Sequence, residues 1–83
     1  RVKTGILNEV IQEALQLRQP PSKKGKSIKI YYVSQVDVNP PKLVFFVNEP
    51  ELMHFAYQRY LENVIRENFG FIGNPINIVL KKR

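Results

Sequence analysis

Cysteine is absent from this 83-residue chain, which excludes a disulfide framework and any thiolate metal site. It leaves the redox compartment unconstrained and argues mildly for the cytoplasm. Long apolar runs are missing too. A membrane-spanning helix needs roughly 18 or more apolar residues in succession, and no stretch approaches that. Acidic residues are scarce, seven Asp and Glu against 13 Lys and Arg, so the formal net charge is +6 and the pI about 9.8. Such a balance makes nucleic acid a serious candidate partner. An anionic membrane surface would compete for the same charge, but neither expected helix gathers Lys or Arg on one face. The chain opens on Arg1 instead of methionine, with no apolar run or cleavage pattern behind it, so no signal peptide is expected. It reads as a piece of something longer, folded as one domain over residues 1–83.

The residues present read as an α+β chain. Ile6, Leu7, Val10, Ile11, Ala14 and Leu15 recur at three-and-four spacing and predict an amphipathic helix. Thr4 is its expected N-cap, and Pro20-Pro21 forbid continuation, so the helix should stop near Leu17 or Arg18. From Gln19 to Ser27 no apolar side chain but proline occurs, and a mobile loop is expected. Ser27 to Asp37 alternates as a strand, with Ile28, Ile30, Tyr32 and Val36 on one side and Lys29, Tyr31, Val33, Gln35 and Asp37 on the other. A turn through Val38-Asn39-Pro40-Pro41 leads to a second strand, Lys42 to Asn48, and the two make an antiparallel hairpin. Asn48 and Glu51 have the spacing of a capping box, with Leu52 to Phe55 as a separate preceding turn. Tyr57, Tyr60, Leu61, Val64, Ile65 and Phe69 then form the apolar stripe of a second helix. Gly70 ends it, and Ile76, Ile78 and Leu80 alternate along a last strand.

The order is thus helix, strand, strand, helix, strand, with both helices packed on one face of a three-stranded sheet. Ile28, Ile30, Leu43, Phe45, Val47, Ile76, Ile78 and Leu80 are expected beneath the helices. The opposite face would carry Tyr31, Val33, Val44, Phe46 and Val79, which is too apolar to sit comfortably in water. A partner surface is expected to cover it.

Two loops resemble nucleotide or nucleic-acid motifs without meeting their requirements. Gly25-Lys26-Ser27 ends like a phosphate-binding P-loop, but the first glycine of that motif is replaced by Pro20. The segment also leads into a strand, where a P-loop leads into a helix. Gly70-Phe71-Ile72-Gly73 spells GxxG, yet it joins a helix to a strand and holds two apolar residues between its glycines. A helix cap followed by a hydrophobic anchor is the better reading. His54 is the only histidine and has no partner for metal or acid-base work, so it reads as a surface or helix-start residue. No active site is proposed, because no pair of carboxylates is fixed in a cleft by the pattern. Lys23, Lys24 and Lys26 in the loop, with Arg18 and Lys29 nearby and Lys81, Lys82 and Arg83 after the last strand, form an expected electrostatic footprint for RNA. Among the aromatics, Tyr31 and Phe46 are the candidates for stacking on bases, since both are placed on the uncovered sheet face.

Several motifs also carry a family resemblance. Leu7-Asn8-Glu9-Val10, Lys29-Ile30-Tyr31-Tyr32 with Gln35-Val36, and Asn39-Pro40-Pro41 before Phe45-Phe46-Val47-Asn48 resemble the C-terminal domain of the bacterial Der (EngA) GTPase family. Tyr60-Leu61-Glu62-Asn63, Ile65-Arg66, Phe69-Gly70-Phe71, Gly73, Pro75 and Ile76 continue it through nearly the whole chain. The resemblance implies a KH-like domain behind two tandem GTPase domains, in a cytoplasmic protein needed for assembly of the large ribosomal subunit. GTP and Mg2+ would then belong to the GTPase domains, leaving this piece non-catalytic and without a cofactor. Ribosomal RNA, the large subunit and the GTPase domains of the same chain are the implied partners, with no membrane partner and a monomeric isolated domain.

Overall fold

The computed structural model describes residues 1–71 and 73–83. Ile72, inside the GxxG spelling, lies outside the described residues. Helix α1 spans Thr4–Leu17, strand β1 Ile30–Val38 and strand β2 Pro41–Val47. A 3-10 turn follows over Pro50–Leu52, then helix α2 over Phe55–Phe69 and strand β3 over Asn77–Lys82. The sheet order is β1-β2-β3, with β1 and β2 antiparallel and β2 and β3 parallel, so α2 lies in the crossover that parallel pairing requires. This is the expected α+β, KH-like arrangement. Leu7, Ile11 and Ala14 of α1 and Tyr57, Leu61 and Ile65 of α2 meet Val33, Leu43, Phe45 and Val47 of the sheet in one buried cluster.

The helix ends depart from expectation at their N-termini. Thr4 is inside α1, Lys3 holds the N-cap position, and no side chain caps it. The segment is anchored by tertiary bonds instead. Val2 N donates to Gln35 Oε1 at 2.8 Å, and the Arg1 guanidinium donates to Gln35 O at 3.1 Å. The Asn48 side chain does not cap the following turn either. It accepts from Lys29 N at 2.8 Å and donates to Ser27 O at 3.2 Å, fastening the approach to β1. His54 takes the helix start, its Nδ1 accepting from Ala56 N at 3.1 Å. At the other end of α2, Gly70 adopts φ 72° and donates its N–H to Arg66 O, the left-handed cap expected of it.

The larger correction concerns β1. Its pairing shifts between Ile30 and Tyr32, because Ile30 faces Val47 while Tyr32 faces Phe46, leaving Tyr31 as an extra bulge residue. Alternation is therefore displaced by one residue after Ile30. Val33, expected on the outer sheet face, is fully buried in the core, whereas Tyr32 and Val36, expected inside, are 46% and 48% exposed. Asn8 of α1 helps fix this register. Its Nδ2 donates to Val33 O at 2.8 Å and its Oδ1 accepts from Val33 N at 2.8 Å, so one side chain mimics a neighbouring strand. Gln12 adds a bond to Ile30 O at 3.3 Å. A second shift between Gln35 and Asp37 turns the strand end outward.

Candidate nucleic-acid interface

The cations expected to form an RNA footprint converge on one end of the fold. β1 starts where β2 and β3 finish, since Ile30 pairs with Val47 and Val47 with Lys82. Lys29 is tied to this end through Asn48, and Arg83 through its N–H to Val47 O at 2.9 Å. α1 runs antiparallel to β1, with Asn8 against Val33 and Gln12 against Ile30, so Arg18 arrives at the same end in the helical layer. There it receives the Tyr57 hydroxyl on its carbonyl at 2.6 Å and lays its guanidinium over Tyr60, 5.0 Å from the ring centre.

The loop before β1 is more ordered than its composition suggests. Lys23 and Lys26 exchange backbone bonds of 2.6 and 3.0 Å, and Lys24 and Gly25 between them adopt φ 52° and 78°. Positive φ at both central positions makes a tight reversal, with Lys24 accepting the strain and Gly25 none. All three lysines are exposed. They therefore project from a closed turn.

An acid also enters the cluster. Glu49 Oε1 lies 3.0 Å from Lys82 Nζ. Hydrogen bonding to Lys82 is the main reason the Glu49 pKa is lowered, and the same bond raises that of Lys82. Lys26 contributes a weaker attraction to Glu49. Lys82 is consequently paired with an acid while remaining exposed, and Lys81, also exposed, lies in register with Phe46 on β2. Sequence reasoning missed Glu49, because nothing local ties a residue after β2 to one at the end of β3.

The outer sheet face divides into a covered part and an open part. Val44 stands between Ser34 and Val79 and is only 6% exposed, outside the main core cluster. Val79 and Phe46 are half-buried. Tyr31 and Tyr32 are open, and together with Phe46 and Arg83 they line a shallow cavity of about 510 Å³. Of the expected docking residues, the structure therefore keeps Tyr31, Val44, Phe46 and Val79 off the core side and removes Val33. Tyr32 was missed, since the sequence gives no sign of the bulge that turns it outward. Among the described residues no three His, Cys, Asp or Glu side chains cluster as metal ligands, and no helix is long and apolar enough to cross a membrane.

Comparison with known proteins agrees with this fold. Residues 1–81 match the family described as KH_dom-like, KH-domain-like of EngA bacterial GTPase enzymes, C-terminal. The whole chain is 61% identical to 19% of the length of GTPase Der of Halothermothrix orenii, and 60% identical to 19% of GTPase Der of Caldanaerobacter subterraneus subsp. tengcongensis. It is 58% identical to the same share of GTPase Der of Thermoanaerobacter sp. strain X514. The chain thus spans about a fifth of the length of these relatives. Together the matched family and the identities over the full 83 residues establish that the chain belongs to the KH-domain-like C-terminal family of EngA bacterial GTPase enzymes.

Proposed function

We propose that this domain is a non-catalytic RNA-binding module of a cytoplasmic GTPase that acts in assembly of the large ribosomal subunit. GTP and Mg2+ would be handled by GTPase domains elsewhere in the parent chain. Arg18, Lys23, Lys24, Lys26, Lys29, Lys81, Lys82 and Arg83 would supply the contact to ribosomal RNA. The observation that carries this reading is the gathering of those cations at one end of the fold, with Lys23, Lys24 and Lys26 held out on a closed turn. Lysines at such a turn meet phosphates as point charges and release counterions, which is why salt dependence is the appropriate measurement. Each phosphate neutralised on a single strand contributes about 0.7 to the slope of log affinity against log salt. Replacing Lys23, Lys24 and Lys26 together by Ala should lower the magnitude of that slope by about 2 in titrations with ribosomal RNA fragments. An unchanged slope would remove the turn from the interface.

A second reading is supported by a different observation. Val44, Phe46 and Val79 give the outer sheet face an apolar centre, and about four-fifths of the relatives' length lies outside the part that this domain matches. That face would dock on a GTPase domain of the same protein and respond to its nucleotide state. Val79→Asp should then change the domain arrangement of the full-length protein in solution scattering while leaving this domain folded. Indifference of the scattering to that change would count against docking.

A further inference from the structure

The bulge at Tyr31 has a chemical result that regular alternation would not produce. In a regular strand one of two consecutive residues must face the core, but here Tyr31 and Tyr32 are 43% and 46% exposed while Ile30 and Val33 are buried on either side. Two phenol rings are thereby delivered to the same face. Phe46, opposite Tyr32 on β2, adds a third at 6.2 Å between ring centres and an interplanar angle of 39°. The tilt leaves part of each ring available, since the pair is not closed into a stack.

Cations border this shelf. The Arg83 guanidinium lies over Tyr31 at 4.9 Å from the ring centre, with its backbone held to Val47, and Lys81 sits in register beside Phe46. Among the described residues no Asp or Glu side chain lines the cavity, and Glu49, an acid at this end, is paired with Lys82. Flat π surface bordered by unneutralised positive charge fits a ligand that is itself flat and tethered to negative charge. We propose that Tyr31, Tyr32 and Phe46, with Arg83 and Lys81 at the rim, form a stacking subsite for an unpaired nucleobase of single-stranded RNA. Rings supply affinity without sequence preference because every base has a π face, and the rim cations meet the flanking phosphates. This subsite rests on the RNA-binding reading but is chemically distinct from the lysine turn, which offers charge without a stacking surface.

The test compares the 83-residue chain with a single-stranded oligoadenylate and with an abasic oligonucleotide of the same length and charge. Stacking predicts tighter binding to the oligoadenylate. Tyr32→Leu or Phe46→Leu, which keep apolar bulk but remove the π face, should weaken that binding about 5- to 150-fold and leave abasic binding and the salt slope unchanged. Tyr32→Phe should retain it. The chain contains no tryptophan, so quenching of tyrosine emission by the bases gives an independent readout, and melting curves confirm that each variant is folded. If Tyr32→Leu unfolds the chain, Tyr31→Leu and the quenching comparison carry the same test. Equal affinity of the unaltered chain for both oligonucleotides would overturn the stacking subsite while leaving the charge-based reading intact. Failure to bind either one would remove the RNA-binding reading itself. If the Leu variants keep oligoadenylate affinity but lose association with a GTPase domain, the shelf is a protein-docking surface and the proposal is wrong.

Discussion

Phe45 and Phe46 are neighbours on the same strand and chemically identical, yet they serve opposite faces of the sheet. Phe45 is fully buried among residues from both helices, whereas Phe46 is half-buried beside Tyr32 with Lys81 as its neighbour on β3. The pleat makes that division. One strand further, Tyr31 and Tyr32 are also identical neighbours, but a bulge sends both outward. The comparison teaches that the inner face is governed by volume and the outer face by what the rings can meet.

The largest test of this difference is truncation on either side of it. Phe45→Ala should cost about 3–5 kcal/mol, because it opens a cavity that fixed helices cannot fill. Phe46→Ala should cost about 1 kcal/mol, mainly its aromatic pairing, since water can occupy the vacated space. Denaturant titration of both variants would show it, and equal losses would mean that the outer face is packed like a core. A middle-sized effect is expected at the clamp that sets the division. Asn8→Ala leaves the N–H and C=O of Val33 without their partners and should destabilise by about 2 kcal/mol. Amide exchange at Val33 would accelerate in that variant more than at Phe45, and uniform acceleration would argue against a local clamp.

The smallest effect concerns the helical layer and appears only at high pH. Tyr57 is 2% exposed and its pKa is raised to about 12, first by burial and then by Tyr60, with Arg18 opposing. A folded-state value above the ordinary 10 means that the unfolded chain loses this proton first. Stability from Tyr57 is therefore fully present below pH 10 and is lost as pH rises from 10 through about 12. Ultraviolet titration of the phenols should show a late step that Tyr57→Phe removes. Its persistence in that variant would assign the step elsewhere.

Much of the fold was legible because local chemistry determined it. Pro20-Pro21 and Gly70 mark helix ends through backbone geometry alone, and the alternation of β2 and β3 places Leu43, Phe45, Val47, Ile76, Ile78 and Leu80 on the core side. The register of β1 was not legible beyond Ile30. It depends on a side chain from α1 gripping Val33 and on pairing with β2, neither of which leaves a periodic signal. The same distinction applies to the candidate interface. A run such as Lys81-Lys82-Arg83 announces charge, but only the folded chain reveals that Lys82 is neutralised by Glu49 while Arg83 reaches back over Tyr31.

The hold of α1 on β1 also bears on how copies of this chain can associate. The sheet ends in β1 on one side and β3 on the other, and on β1 the outward groups of Ile30, Val33 and Gln35 are occupied by Gln12, Asn8 and Arg1. Strand-by-strand growth into a fibre requires two adhesive edges per molecule. With one edge closed, pairing through the other joins two molecules and then terminates.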